Sequence, residues 1–172
     1  TLPLGYKFAS INVKAKKNQV ELYNVWWDAT VHPVAREFEC VRRGGRWKKK
    51  DGTMAGEGLL FHFKKAIQLI WPENIFDKWN ELIIEKYLDH RTIGIIGPAS
   101  SGKTNTAAIL ALTDYYIYPS STTVVCCSTT KERLEDRIFG EIKNLHRRAR
   151  ERVPWIDGCL IEGRQRIITD SR

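Results

Sequence analysis

The sequence GPASSGKT, residues 97–104, places two glycines, a lysine and a threonine in the pattern G-x-x-x-x-G-K-[ST]. It follows TIGII, a short apolar run that predicts a buried strand, and it leads into KTNTAAILALTDYYIYP, which predicts a helix ending near Pro119. A loop between a strand and a helix directs backbone N–H groups and the positive end of the helix at one anion. We therefore predict a nucleotide-binding phosphate loop here.

The residues of this phosphate loop have separate predicted tasks in binding ATP and Mg²⁺. Gly97 and Gly102 let the main chain wrap closely around the phosphates. Lys103 reaches the β- and γ-phosphates, and Thr104 holds Mg²⁺, so these two are the predicted catalytic residues. The loop interior completes the predicted cofactor site with Pro98, Ala99, Ser100 and Ser101. The two serines either add hydroxyl contacts or are small polar filler.

Apolar runs and amphipathic segments alternate from residue 91 onward. STTVVCCST (121–129) predicts a second strand, KERLEDRIFGEIKNLHRRARERVP (131–154) a long helix capped by Thr129 or Thr130, and LIEGRQRIITD (160–170) a third strand. This order predicts an α/β fold, namely a parallel sheet flanked by helices as in P-loop NTPases, incomplete in this chain. Two further helices are predicted upstream, in GLLFHFKKAIQLIWP (58–72) and ENIFDKWNELIIEKYLDHR (73–91).

Composition divides the chain into a basic region of undetermined fold, 1–58, and residues 59–172, which contain the phosphate loop and which we predict to be the N-terminal part of a P-loop ATPase domain. The formal net charge of +8 favours a polyanionic partner such as nucleic acid, although a merely basic protein has the same charge. No run approaches the roughly 20 apolar residues that a membrane helix needs, so no membrane partner is expected.

A basic segment, VRRGGRWKKKDG (41–52), is the predicted DNA contact. Its glycine pairs indicate turns, and its charges suit the phosphates of a nucleic acid. A solvated charge run is the equal alternative. The basic residues are Arg42, Arg43, Arg46, Lys48, Lys49 and Lys50.

The four cysteines form no C-x-x-C pair, and Cys126 and Cys127 fall within the predicted second strand. We expect small buried thiols in a reducing cytosol, rather than a metal site or a disulfide. The other two are Cys40 and Cys159.

Residues 59–172 resemble the ATPase portion of the large terminase subunit of tailed bacteriophages. The resemblance is carried by FHFKKAIQLIWPENIFDKW, by GPASSGKT, by the strand ending in Ser128–Thr129–Thr130, by the ERLEDRIFGEI helix and by EGRQRI. It implies an ATP- and Mg²⁺-dependent motor that translocates double-stranded DNA into a procapsid. It further implies a homo-oligomeric ring at the capsid portal in the host cytoplasm, a small terminase subunit as partner, and an endonuclease in a missing C-terminal domain.

The chain departs from that family pattern at several positions. The phosphate loop contains no arginine, so another one must act at the γ-phosphate, and the candidates are Arg147, Arg148, Arg150, Arg152, Arg164 and Arg166. Phe76 or Trp79 either stacks on adenine or packs in the core. Asp170 is a weak candidate for the Mg²⁺ aspartate, because Ser171 stands where a glutamate is wanted. We expect that aspartate, the catalytic glutamate and the nuclease carboxylates beyond Arg172.

Two other functions fit the same phosphate loop. A P-loop helicase or primase-helicase shares the ATP site and the basic charge, and strand separation without a capsid would distinguish it. A non-motor nucleotide-binding module would lack ATPase activity even with DNA and portal present. A metabolic kinase is a third alternative, but it gives the basic region 1–58 no evident function.

Overall fold

A computed structural model describes residues 32–48, 51–99, 101–161 and 166–168. The chain divides into two compact units, Thr1–Ile70 and Trp71–Arg172. Composition alone predicts a boundary at 58/59, where the polar sequence gives way to an apolar one. The boundary between the units falls later because the helix that begins at Leu59 packs against a helix of the first unit.

Two packed helices and a short hairpin form the described part of the first unit. Helix α1, Pro33–Arg42, begins with proline at its first position, and the Nδ1 atom of His32 accepts a hydrogen bond from the Val34 N–H at 3.2 Å. Helix α2, Leu59–Ile70, confirms the predicted helix and ends before Pro72. The two helices bury apolar faces against each other, with side chains of Val34, Ala35, Phe38, Phe63, Ile67 and Ile70.

A short hairpin connects these two helices. Strands β1, Trp47–Lys48, and β2, Met54–Ala55, pair antiparallel with Trp47 opposite Ala55. The hairpin closes tightly on α2 at Gly45, where an added Cβ would lie 2.0 Å from the backbone nitrogen of Leu59. Because its φ is +75°, this position also disfavours any side chain.

Helices dominate the second unit. The predicted helices are confirmed as α3, Lys78–Asp89, and α4, Lys103–Ile117, followed by α5, Lys131–Arg133, a π-helical segment, Leu134–Phe139, and α6, Gly140–Arg152. Thr130 accepts a hydrogen bond from the Arg133 N–H at 3.2 Å, which confirms the predicted cap. The π-helical segment was not predicted, and none of its residues is buried.

Helix α4 lies at the centre of the second unit's core and packs against α6. The indole N–H of Trp71 donates to the carbonyl of Leu145 over 3.0 Å, and both side chains are fully buried. The Tyr116 hydroxyl lies 2.7 Å from Nδ1 of His146, and Nε2 of that ring lies 3.1 Å from the carbonyl of Gly158. These contacts fix the side of α6 that faces α4.

The predicted parallel sheet has no counterpart among the described residues. Residues 92–98 and 122–128 carry no strand, and Ile96 and Val125 are 90% and 76% exposed. The segment predicted as one closing strand instead contributes two, β3, Cys159–Ile161, and β4, Arg166–Ile168, which pair antiparallel. A parallel strand is stable only between neighbouring strands and covering helices, so the parallel sheet stays a prediction.

An apolar cavity of about 570 Å³ adjoins α4 on the side of residues 122–126. Its lining includes Tyr115, Val124, Leu134, Phe139, Ile142 and Ile167. The lining thus includes residues of the segment 122–126, which was predicted as a strand, together with residues of α4 and α6.

Candidate phosphate-binding site

The loop from Gly97 to Thr104 connects residues 92–96 to α4, in the position that the sequence predicts. Gly102 is the N-cap residue of α4 and has a φ of +74°, a left-handed conformation that favours glycine. Gly97, Pro98, Ala99 and Thr104 are exposed and Ser101 is half-buried, whereas Ser100 lies outside the described residues.

The ammonium group of Lys103 turns back into the loop. Nζ donates hydrogen bonds to the carbonyl of Gly97 over 2.8 Å and to Oγ of Ser101 over 2.9 Å. It also donates to the carbonyl of Pro98, which accepts a second bond, from the Ser101 hydroxyl, over 3.0 Å. The structure thus brings both ends of the predicted phosphate loop around one cation.

The first turn of α4 points its backbone N–H groups toward this loop. No side chain caps this end of the helix, because its N-cap residue is Gly102. An uncapped helix N-terminus attracts anions through its N–H groups and its dipole. The exposed side chain of Thr104, the predicted Mg²⁺ ligand, lies in this turn next to Lys103.

Two side-chain contacts that the sequence did not predict support this end of α4. The Thr106 hydroxyl lies 3.0 Å from Oδ1 of Asn80 and 3.1 Å from the Gly102 carbonyl, which join α3 to the N-cap. The Asn105 side chain donates to Oε1 of Glu141 over 2.6 Å, which joins α4 to α6. Thr106 and Asn80 are 26 residues apart in sequence, and Asn105 and Glu141 are 36 residues apart, so no local sequence pattern predicts either contact.

The candidates for stacking on adenine lie at or just before the start of α3. Trp79 is 41% exposed and Phe76 is half-buried, so neither belongs to the core of the second unit. Trp79 precedes Asn80, which contacts the first turn of α4 through Thr106. This position keeps Trp79 as a candidate for contact with the base.

Several candidate arginines already have protein partners. Arg148 and Arg152 both pair with the carboxylate of Glu73, the latter over 3.1 Å. Arg150 donates to the carbonyl of Gly158, and Arg147 donates to Asn144 over 3.4 Å. The first two therefore contribute to structure. Outside the described residues lie Arg164, Asp170 and the side chain of Arg166.

The predicted DNA-contacting segment is only partly described. Arg42 and Arg43 pair with Glu39 at the end of α1, over 3.6 and 3.1 Å. Arg46 and Lys48 are exposed at the start of the hairpin, and Lys49 and Lys50 lie outside the described residues. Among the described cations of this segment, Arg46 and Lys48 are therefore the most exposed to solvent.

The four cysteines differ from the expected buried set. Cys40 is buried in α1, whereas Cys126 is half-buried and Cys127 and Cys159 are exposed, and all four are free thiols. Burial, together with the nearby Glu37, raises the pKa of the Cys40 thiol, which is therefore protonated in this structure.

Within the described ranges, no helix combines the length and the apolar character needed to cross a membrane. Comparison of the chain with protein-family models, with curated proteins and with solved structures found no match.

Proposed function

We propose that the loop of residues 97–104 binds ATP with Mg²⁺, and that the chain is the ATPase portion of a motor that moves double-stranded DNA into a procapsid. The observation that supports this proposal is the position of the Lys103 ammonium, which lies inside the loop beside an uncapped helix N-terminus. A lysine and backbone N–H groups that converge on one point are the phosphate-binding elements of P-loop NTPases.

In this proposal, the phosphates of ATP replace the oxygens that Lys103 now contacts. The carbonyl of Gly97 and the hydroxyl of Ser101 hold the ammonium near its working position. A charged phosphate oxygen is a stronger acceptor than either of them, because hydrogen bonds between two ionised groups are about twice as strong as neutral ones. Thr104 then contributes its hydroxyl to Mg²⁺.

The remaining parts of the proposal follow from the resemblance to large terminase subunits. DNA is held through its backbone phosphates by exposed cations such as Arg46 and Lys48, without reading sequence. Residues 92–96 and 122–128 become strands of a parallel sheet. The subunits assemble as a homo-oligomeric ring at the capsid portal in the host cytoplasm, with a small terminase subunit as partner and an endonuclease in a C-terminal domain.

Substitution of Lys103 by alanine tests the ATP site directly. Removing a charged donor to phosphate costs about 1.5–3 kcal/mol, or roughly a 10- to 150-fold loss of affinity. We expect this loss in calorimetric titration of Lys103→Ala with MgATP, while circular dichroism stays unchanged. Lys86→Ala is the matched control, since Lys86 is an exposed helical lysine whose partner is the neighbouring Glu85. Equal MgATP affinity in both variants would remove the phosphate loop from the proposal.

A second measurement separates the motor from its alternatives. The full-length protein should hydrolyse ATP in response to DNA and portal together and should protect DNA inside procapsids. Strand separation of duplex DNA without procapsids would instead identify a helicase, and binding of ATP with no hydrolysis under any of these conditions would identify a non-motor module.

A further inference from the structure

Helices α1 and α2 bring three side chains with metal-binding atoms together in the first unit. Glu37 and Cys40 lie one turn apart on α1, and His62 faces them from α2. Their exposed fractions are 4%, 2% and 7%, and one ligand atom from each lies within 4.8 Å of the others. A sulfur, an imidazole nitrogen and a carboxylate oxygen thus meet in a buried place.

Hydrogen bonds define the protonation of this cluster in the metal-free state. Nε2 of His62 accepts from the backbone N–H of Glu57 at 3.1 Å, so the proton of the ring is on Nδ1. That Nδ1–H donates to Oε2 of Glu37 over 2.7 Å. The other carboxylate oxygen, Oε1, pairs with Lys65 over 3.2 Å, which leaves Oε2 as the oxygen nearest the histidine.

We propose that Glu37, Cys40 and His62 form a zinc site, with Sγ, Nδ1 and Oε2 as ligands. Sulfur, nitrogen and oxygen donors of these three kinds bind Zn²⁺ at about 2.0–2.3 Å. A thiolate and a carboxylate balance the charge of the ion, so Zn²⁺ and its three protein ligands together carry no net charge, and the charge of Lys65 lies on a half-exposed side chain. Three protein ligands leave the fourth tetrahedral position to water.

Zinc binding changes the protons of the cluster in a defined way. Cys40 releases one proton to solvent, and the proton of His62 moves from Nδ1 to Nε2. The distance from Nδ1 to Oε2 widens to roughly 3.3 Å, as two ligands of a tetrahedral ion require. The Glu57 N–H then loses its acceptor and turns to solvent, which the flanking Gly56 and Gly58, with φ of 90° and 105°, permit.

The test uses a variant that leaves Cys40 as the sole thiol of the full chain. Cys126→Ser, Cys127→Ser and Cys159→Ser change side chains that are exposed or half-buried, so the first unit keeps its fold. Co²⁺ added to the chelator-treated variant should produce a thiolate-to-cobalt charge-transfer band and tetrahedral d–d bands, saturating at one ion per chain and displaced by Zn²⁺. A further Cys40→Ser substitution should abolish the charge-transfer band.

No charge-transfer band in the variant that keeps only Cys40, or a band that survives Cys40→Ser, overturns the proposal. A second readout needs no core substitution, because it follows the native chain by ¹⁵N NMR. Added Zn²⁺ should convert His62 from its Nδ1–H to its Nε2–H tautomer and accelerate hydrogen exchange at the Glu57 amide. An unchanged His62 tautomer at saturating Zn²⁺ also overturns the proposal. Neither readout depends on ATP, so the zinc site and the phosphate loop fail or stand separately.

Discussion

The side-chain amide of Asn105 donates a hydrogen bond to the carboxylate of Glu141 over 2.6 Å. Asn105 follows Thr104 in the first turn of α4, and Glu141 lies in the first turn of α6. The bond therefore ties the helix that begins at the phosphate loop to the helix packed beside it. It fixes the direction in which the positive end of α4 points.

We expect Asn105→Ala to reduce the free energy of unfolding by about 1–2 kcal/mol, because it leaves a partly buried carboxylate without its donor. A double-mutant cycle with Glu141→Ala, which removes the acceptor, should give a coupling energy above about 0.5 kcal/mol. Asn144→Ala, at an exposed position of α6, is the control and should stay within about 0.5 kcal/mol of the parent. Additive effects of Asn105→Ala and Glu141→Ala in urea unfolding would show that the two helices are not coupled here.

Gly102→Ala tests whether the predicted phosphate loop needs the left-handed backbone conformation of Gly102. An added Cβ at Gly102 meets nothing within 4 Å, but the φ of +74° makes a side chain costly by about 1–2 kcal/mol. We expect a loop that relaxes, and therefore weaker MgATP binding in calorimetry. Gly94→Ala is the matched control, since its Cβ is also uncrowded and its φ is not in the left-handed region. If both variants bind MgATP equally, the left-handed residue has no part in positioning the loop.

Asp114→Asn tests a half-buried carboxyl group through the pH dependence of stability. Burial raises the pKa of Asp114 above its ordinary 3.8, and the hydrogen bond donated by Tyr87 opposes this in part. The folded chain therefore binds this proton more tightly than the unfolded chain does. Its contribution to the free energy of unfolding falls as the pH rises from near 3.8 through the raised pKa.

Asparagine cannot ionise, and its carbonyl still accepts from Tyr87. We therefore expect the free energy of unfolding of Asp114→Asn to fall less than that of the parent between about pH 4 and about pH 8. At pH values above the raised pKa of Asp114, the variant should be more stable than the parent. Urea unfolding across this pH range measures both effects. Asp89→Asn, at the exposed end of α3, should leave the decline in place. Parallel curves for the parent and Asp114→Asn would contradict the raised pKa.

The hairpin cations give a prediction for DNA binding. Replacing Arg46 and Lys48 by glutamine should reduce the slope of log K against log salt by about 1.8, since each phosphate contact contributes about 0.9. The matched pair, Arg42→Gln with Arg43→Gln, should reduce the slope less, because Glu39 already pairs with both. Fluorescence anisotropy with random-sequence duplex DNA measures the slope. An unchanged slope in the first variant would exclude Arg46 and Lys48 as DNA contacts.

The helices were predictable from the sequence because the signals that specify a helix lie within a few consecutive residues. The apolar positions of α2 recur every three or four residues, and Pro72 blocks continuation. The cap at Thr130 follows from the preference of hydroxyl side chains for helix starts. The contact of Lys103 with the carbonyl of Gly97 is local in the same sense, because both residues lie within the eight-residue motif that predicts a phosphate loop.

The strands, and the contacts between residues far apart in sequence, could not be predicted from such local signals. Residues 122–128 have the β-branched composition of a strand, but strand formation depends on neighbours that composition does not specify. The approach of His62 to Glu37 and of Asn105 to Glu141 depends on how helices pack, since 25 and 36 residues separate the partners. The apolar residues of 131–154 recur every three or four positions along the sequence, which predicts one continuous α-helix and gives no indication of the π-helical segment Leu134–Phe139.

The exposure of Ile96 and Val125 has a consequence for how the chain behaves at high concentration. Extended, apolar, β-branched backbone that lacks a partner strand recruits the same segment of another molecule, which is the first step of amyloid-like stacking. Pro98 and Pro119 limit the length of the two segments that could pair in this way, because proline donates no backbone hydrogen bond. We therefore expect the chain to aggregate more readily as its concentration rises.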